Sequence, residues 1–207
     1  MKFKKIILKD FFRFYGKQEI DLSVDNNKTV VVLIGENGRG KTTILSAFNF
    51  VLYGKLLEPL IEDNMLNYKK RAELGKNLST EASVELLFEE AKTNYIMKRY
   101  IDFKKDEDGN IVKLSSKPKA CVYRVRENGD IEELDLKMFE NRILIPENLS
   151  SFFFFDGERI NRLAKVDGKA EIKKAILNIL GISNIDNAKS DLSKVKKILI
   201  NESKKIF

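Results

Sequence analysis

With 207 residues, 43% hydrophobic and 33% charged, the chain has apolar material for one domain or one and a half under a highly charged surface. A single cysteine, Cys121, excludes an internal disulfide, and the lack of histidine excludes a Cys/His zinc site. No run of about 18 apolar residues is present to span a membrane, and the basic Met1–Lys5 start precedes only three apolar residues, too few for a signal peptide. A reduced, cytoplasmic protein without membrane contact is therefore expected. Net charge is +7, and residues 165–207 hold ten lysines against five carboxylates. That tail fits contact with nucleic acid and fits a chain-wide lysine bias equally well, so charge alone decides nothing.

In chain order, Lys2–Lys9 reads as a first strand, Asp10–Gly16 as an aromatic-rich turn and Gln18–Val24 as a second strand. The β-branched run Thr29-Val30-Val31-Val32-Leu33-Ile34 predicts a short buried strand. A helix is predicted over Thr43–Tyr53, closed by Gly54. Residues 56–78 are polar and irregular, with room for one short helix. Ala82–Glu89 alternates, with Val84, Leu86 and Phe88 on one face, and Asn94–Phe103 is a further strand. The turn cluster Asp106–Asn110 predicts a hairpin, and Ala120–Arg126 with Ile131–Leu134 predicts a second around Asn128-Gly129. The middle third therefore reads as an antiparallel sheet inserted after the helix. Beyond it, Phe152–Phe155 is fully apolar and ends in Asp156-Gly157-Glu158-Arg159, and Lys169–Leu180 predicts a helix stopped by Gly181. From Ile185 the apolar positions Ala188, Leu192, Val195, Leu199 and Ile206 follow a heptad seam, as in a coiled coil; an ordinary amphipathic helix accounts for the same spacing.

Between predicted strand and predicted helix lies Gly35-Glu36-Asn37-Gly38-Arg39-Gly40-Lys41-Thr42, a complete G-x-x-x-x-G-K-[ST] phosphate loop in the setting the motif requires. Gly35, Gly38 and Gly40 allow close backbone approach, so that the N–H groups and the helix N-terminus face one anion. Lys41 supplies a point charge to the β- and γ-phosphates, and the Thr42 hydroxyl a ligand to Mg²⁺. The second chemical candidate is Asp156, 115 residues after Lys41. Two functional readings, a Walker-B-like carboxylate and a residue reaching metal and water from another side, both bring it to the phosphates. Four core phenylalanines before a surface turn are the structural alternative. Glu89-Glu90 is a weaker Walker B candidate, given the alternation before it.

At this point the chain resembles the SMC/SbcC-like ATPases, ABC-type heads that carry long coiled-coil arms. The resemblance rests on Leu8–Gly16 with Gln18–Leu22, on Gly35–Thr43, on Phe50–Gly54 and on Ile179-Leu180-Gly181-Ile182. Phe153–Ile160 is most similar to the DndD branch, the ATPase of DNA phosphorothioate modification and related defence systems. The resemblance implies a mixed α/β P-loop NTPase fold: the N-terminal lobe of an ABC-type head over residues 1–165, a β-rich insert at about 80–135, and a helical region, 166–207, entering a coiled-coil arm. It implies ATP and Mg²⁺ as ligands, with Gly35, Asn37, Gly38, Gly40, Lys41, Thr42 and Thr43 around the nucleotide and Arg13 beside it. Asp156 would stand where many relatives have the glutamine that senses metal and water, so it is expected, with Lys41, to serve catalysis and, with Thr42, the metal. Arg39 replaces a smaller residue and is expected to point outward.

No signature-type Ser-Gly-Gly segment, no convincing later Walker B and no switch histidine is present; in the family these lie in the C-terminal half, beyond the arm. The implied partners are that half-head, a second head, DNA and a nuclease or modification complex. The chain alone is expected to bind MgATP weakly and to turn it over negligibly. The alternative is a nucleotide-gated DNA-binding or scaffold module without turnover. A GTPase is disfavoured by the lack of an Asn-Lys-x-Asp segment, and a transporter ATPase by the heptads and the aromatic-Arg turn.

Overall fold

The computed structural model describes residues 1–25, 29–145, 147, 150, 154, 189 and 191–196. Two compact units divide the chain, 1–146 and 147–207. Of the second, residues 191–196 are helical. The expectations for Phe152–Phe155 as a strand, Asp156, the 169–180 helix and most of the heptad seam lie outside the described residues.

The first unit is built on one antiparallel sheet. Its strands are β1 (Lys2–Phe11), β2 (Phe14–Asp21), β3 (Ser79–Glu90), β4 (Thr93–Lys105), β5 (Ile111–Lys113), β6 (Lys119–Val125) and β7 (Ile131–Glu133). The spatial order is β2-β1-β3-β4-β6-β7, with β5 pairing the far end of β4. The N-terminal strands are thus continuous with the middle third, through β1–β3 pairs such as Ile6 opposite Leu86 and Leu8 opposite Val84. The first long hairpin turns at Ala91-Lys92, both at positive φ (47° and 64°), a conformation usually reserved for Asn-Gly. The cluster Asp106–Asn110 instead turns β4 into β5, with the Asp106 carboxylate accepting from the Asn110 amide at 2.7 Å. The Asn128-Gly129 hairpin forms as expected, closed by Gly129 N–H to the Arg126 carbonyl at 2.9 Å.

One sheet face is apolar, through Leu8, Val84, Leu86, Phe88, Met97, Ile101, Phe103 and Val122. Helix α1 (Lys41–Tyr53) packs on it with Ala47, Phe50 and Val51 fully buried. Phe11 and Phe50 meet at 5.7 Å between centroids, and Phe3 and Phe48 at 5.3 Å. Full burial of Phe50 and Val51 contributes about 1.5–3 kcal/mol each, so α1 is anchored from beneath. Two short helices, α2 (Tyr68–Glu73) and α3 (Leu136–Arg142), complete the unit. The opposite sheet face is solvated and charged. Lys5 and Lys17 share Glu19, and Lys9 and Lys98 share Glu81. No helix among the described residues is long and apolar enough to cross a membrane.

One expectation fails. Thr29–Ile34 takes no regular secondary structure, belongs to no ladder and is not buried: Val30 is 75% exposed, Val32 71% and Ile34 93%. β-Branched residues favour a pleated, half-covered surface, yet a strand exists only where a neighbour takes up its N–H and C=O groups, and none of the described residues does so.

Candidate nucleotide site

The site begins at the tight turn between β1 and β2. Asp10 and Phe12 both hold positive φ (48° and 49°), a strained state that needs outside support. The Asp10 carboxylate accepts from the Gly16 amide at 2.8 Å. The Phe12 amide donates to the Met65 carbonyl at 2.6 Å. Asn67, wholly buried, does three jobs. Its Nδ2 donates to the Phe12 carbonyl at 2.6 Å. Its Oδ1 accepts from the Lys69 and Lys70 amides and so caps α2. Its backbone amide bonds the Asp10 carbonyl at 2.8 Å. The clamped turn sends out Arg13, whose Nη1 donates to the Gly38 carbonyl.

The loop itself is exposed from Gly35 to Arg39. Gly38 and Gly40 stand at φ +76° and +104°. Gly40 is doubly constrained, because a Cβ there would lie 3.1 Å from Cζ of Phe14. It is also the N-cap of α1, where no side chain caps the amides and the first turn holds no carboxylate. That end of the helix is therefore left for an anion from outside. The Lys41 ammonium donates to the loop's own carbonyls, Gly35 at 2.6 Å and Glu36 at 2.9 Å. Arg39 does point outward, and its partner is Glu36, three residues back, at 3.1 Å.

Together these elements enclose a cavity of about 300 Å³. Its wall contains Arg13, Asn37, Gly38, Gly40, Lys41, Thr42 and Thr43, brought together from two distant stretches of sequence. Gly35 stands outside the lining and serves as an acceptor for Lys41. Asp156 lies outside the described residues. Glu89 and Glu90 are not in the wall and are engaged elsewhere, by Lys4 at 2.9 Å and by the N-terminal ammonium. Pro59 and Leu60 complete the wall and were not foreseen, since nothing in the irregular 56–78 stretch marks them. They are held by buried polar groups of α1: Ser46 Oγ accepts from the Leu57 amide at 2.9 Å, and Asn49 Nδ2 donates to the Lys55 carbonyl at 2.8 Å.

The described residues contain no cluster of three or more Cys, Asp or Glu side chains able to cage a metal. What the wall offers is the hydroxyls of Thr42 and Thr43 at the uncapped N-terminus of α1. That donor set fits Mg²⁺, which keeps most of its water and is held by few protein groups together with substrate phosphates.

A family model described as "AAA domain" matches residues 5–206. The DNA double-strand break repair Rad50 ATPase of Methanococcus maripaludis is 28% identical over 177 residues, 84% of this chain and 16% of that protein. The protein of the same description from Methanocaldococcus jannaschii is 28% identical over 173 residues, 82% and 16% respectively. The chain thus spans about a sixth of the length of these relatives. A solved structure from a study of ATP-driven dimerisation and DNA-stimulated activation of SMC ATPases aligns at TM-score 0.42 and 18% identity, over 78% of this chain and 96% of that one.

Proposed function

From the premise that the chain belongs to the AAA domain family, we propose that it is the ATP-binding N-terminal half of an SMC- or SbcC-like ATPase head. The observation that carries this is the cavity at the N-terminus of α1, where a complete phosphate loop and Arg13 share one wall. The amides of residues 38–43 hold the phosphate oxygens, and Lys41 exchanges its two loop carbonyls for the β- and γ-phosphates. Thr42 ligates Mg²⁺, which would neutralise developing charge on the transferred phosphoryl group. Arg13 faces the nucleotide from the β1–β2 turn. Asp156 is assigned to the metal and the attacking water from the sequence pattern alone.

Hydrolysis on this reading is shared. Among the described residues the cavity wall holds cations, amides and hydroxyls but no carboxylate to orient water. The bare run Thr29–Ile34, directly before the loop, calls for a partner strand, and the C-terminal half of the head, in the same or a separate chain, is its proposed source. ATP then drives two heads together, and the arms pass that state to DNA. Phe153–Ile160 supports placement in the DndD-like branch, acting in DNA modification or anti-phage defence in the cytoplasm with a nuclease or modification complex. A module that binds nucleotide without turnover of its own is the second reading, favoured by the lack of a carboxylate among the described wall residues.

Titration calorimetry with MgATP, followed by steady-state ATPase assays with and without the C-terminal half, tests the proposal. Binding by the parent and its loss in Lys41→Ala are expected, with turnover only when both halves and DNA are present. No binding by the parent refutes the nucleotide reading. Turnover by this chain alone above about 1 per second, an ordinary enzyme rate, refutes the shared active site. Stoichiometric binding with no turnover in the completed assembly favours the second reading.

A further inference from the structure

Helix α1 is closed at one end and open at the other. At its C-terminus the Gly54 amide bonds the Phe50 carbonyl at 2.8 Å. The next two carbonyls are taken by a side chain from the sheet: Arg99 of β4 donates from Nε to Val51 at 3.0 Å and from Nη2 to Leu52 at 3.3 Å. The helix's own last turn contains no basic residue. Arg99 sits in the apolar row of β4 between Met97 and Ile101, with 7% of its surface exposed. Nη2 also meets Oε1 of Glu140, on α3, at 3.1 Å. Gly54, at φ +73°, leaves room for this arrangement, since a Cβ there would lie 3.0 Å from Nη1.

We propose that Arg99, braced by Glu140, is a positioning residue for polyphosphate binding: it fixes α1 along and about its axis, and so aims the amides of residues 40–43 at the phosphates. The inference rests on the reading of the loop as a nucleotide cradle. A buried ion pair is weak as a source of stability, because desolvation offsets the attraction; an apolar side chain would fill the row as well. What the planar guanidinium adds is a fixed fork. Two bonds to successive carbonyls, with a third to Glu140, resist both sliding and rotation of the helix. Direct attraction for the ligand is a minor part, since Glu140 opposes the charge and 13 helical residues put it roughly 20 Å from the loop.

The test measures affinity for a fluorescent MgATP analogue at 10 °C in the parent, Arg99→Lys, Arg99→Met and Glu140→Gln. Circular dichroism establishes that each variant is folded, and melting temperatures are recorded alongside. A misplacement of about 1 Å can slow a reaction by about 100-fold; by the same loss of aim, Arg99→Met is expected to weaken binding by about tenfold. Arg99→Lys, which keeps the charge but loses the fork, is expected to fall between it and the parent. Lower melting temperatures with dissociation constants within twofold of the parent overturn the proposal and leave Arg99 a packing residue only. If Arg99→Met does not fold, unchanged affinity in both Arg99→Lys and Glu140→Gln overturns it equally. Failure of the parent itself to bind defeats the cradle reading and this inference with it, whereas a binding parent with unaffected Arg99 variants defeats the inference alone.

Discussion

Gly40→Ala is the substitution in which backbone and side-chain geometry act together. Gly40 holds φ +104°, and its absent Cβ would sit 3.1 Å from Cζ and 3.4 Å from Cε2 of the Phe14 ring. An alanine held there stores about 1–2 kcal/mol of backbone strain, and the ring must also shift by a few tenths of an ångström. The loop before it is exposed and lightly bonded, with Arg39 N–H to the Glu36 carbonyl at 3.3 Å among its few internal contacts. The free variant therefore relaxes into an ordinary conformation, and ligand binding must restore the strained one. At about 1.4 kcal/mol per tenfold, the dissociation constant for MgATP should rise about 5- to 30-fold with little change in global stability. Calorimetric titration beside urea unfolding reads both quantities. Gly109→Ala and Gly129→Ala are the controls: both glycines have positive φ in hairpin turns with nothing within 4 Å of the added carbon, so these variants should lose stability and keep affinity. Affinity within twofold of the parent for Gly40→Ala, with the full strain appearing as lost stability, would show a loop already rigid when empty and refute the reasoning.

Three further outcomes are expected. Asn67→Ala removes a cap, a donor to the strained Phe12 carbonyl and the support of the Arg13 turn, and should cost about 2–4 kcal/mol by urea unfolding with an unchanged slope; a loss under about 1 kcal/mol contradicts the assigned role. Glu19 is held down to about 2 by hydrogen bonds from Lys17 and Lys5, against an ordinary 4.5. A lowered carboxylate favours the folded state at neutral pH and loses that contribution as pH falls from about 4.5 to 2; side-chain NMR should place its midpoint well under 4 and move it up in Lys17→Gln, and an ordinary midpoint would disprove the shared ion pair. Val32→Lys, at a position 71% exposed, should change the stability of the first unit by no more than about 0.5 kcal/mol yet prevent assembly with the C-terminal half. A loss above about 2 kcal/mol would instead place Val32 inside the unit's own core.

Much of this architecture was legible because short-range pattern and long-range packing agree. Val84, Leu86 and Phe88 alternate and do face the core, and Asn128-Gly129 does turn a hairpin. The phosphate loop was readable because its chemistry is local: glycines, one ammonium and one hydroxyl within eight residues. What stayed hidden was held by distant partners. The hairpin at Ala91-Lys92 has no turn residues, and the β3–β4 ladder imposes it. Asn67 looks like any polar loop residue until the turn 55 positions earlier closes on it. Arg99 breaks an otherwise apolar alternation, and that break was the available sign of its link to α1. Thr29–Ile34 misled because composition reports a strand's preference and not the presence of its neighbour.

That uncovered stretch carries a hazard. Six consecutive residues without charge, glycine or proline, most of them β-branched, have the make-up of segments that zip together in stacked fibrils. Glu36 and Arg39 follow closely and act as gatekeepers against such stacking. Their protection is incomplete, because the two cancel each other as an ion pair. Concentrated in isolation, the protein should therefore clump through this region, faster at high ionic strength, and co-expression with whatever shields the segment should keep it dispersed.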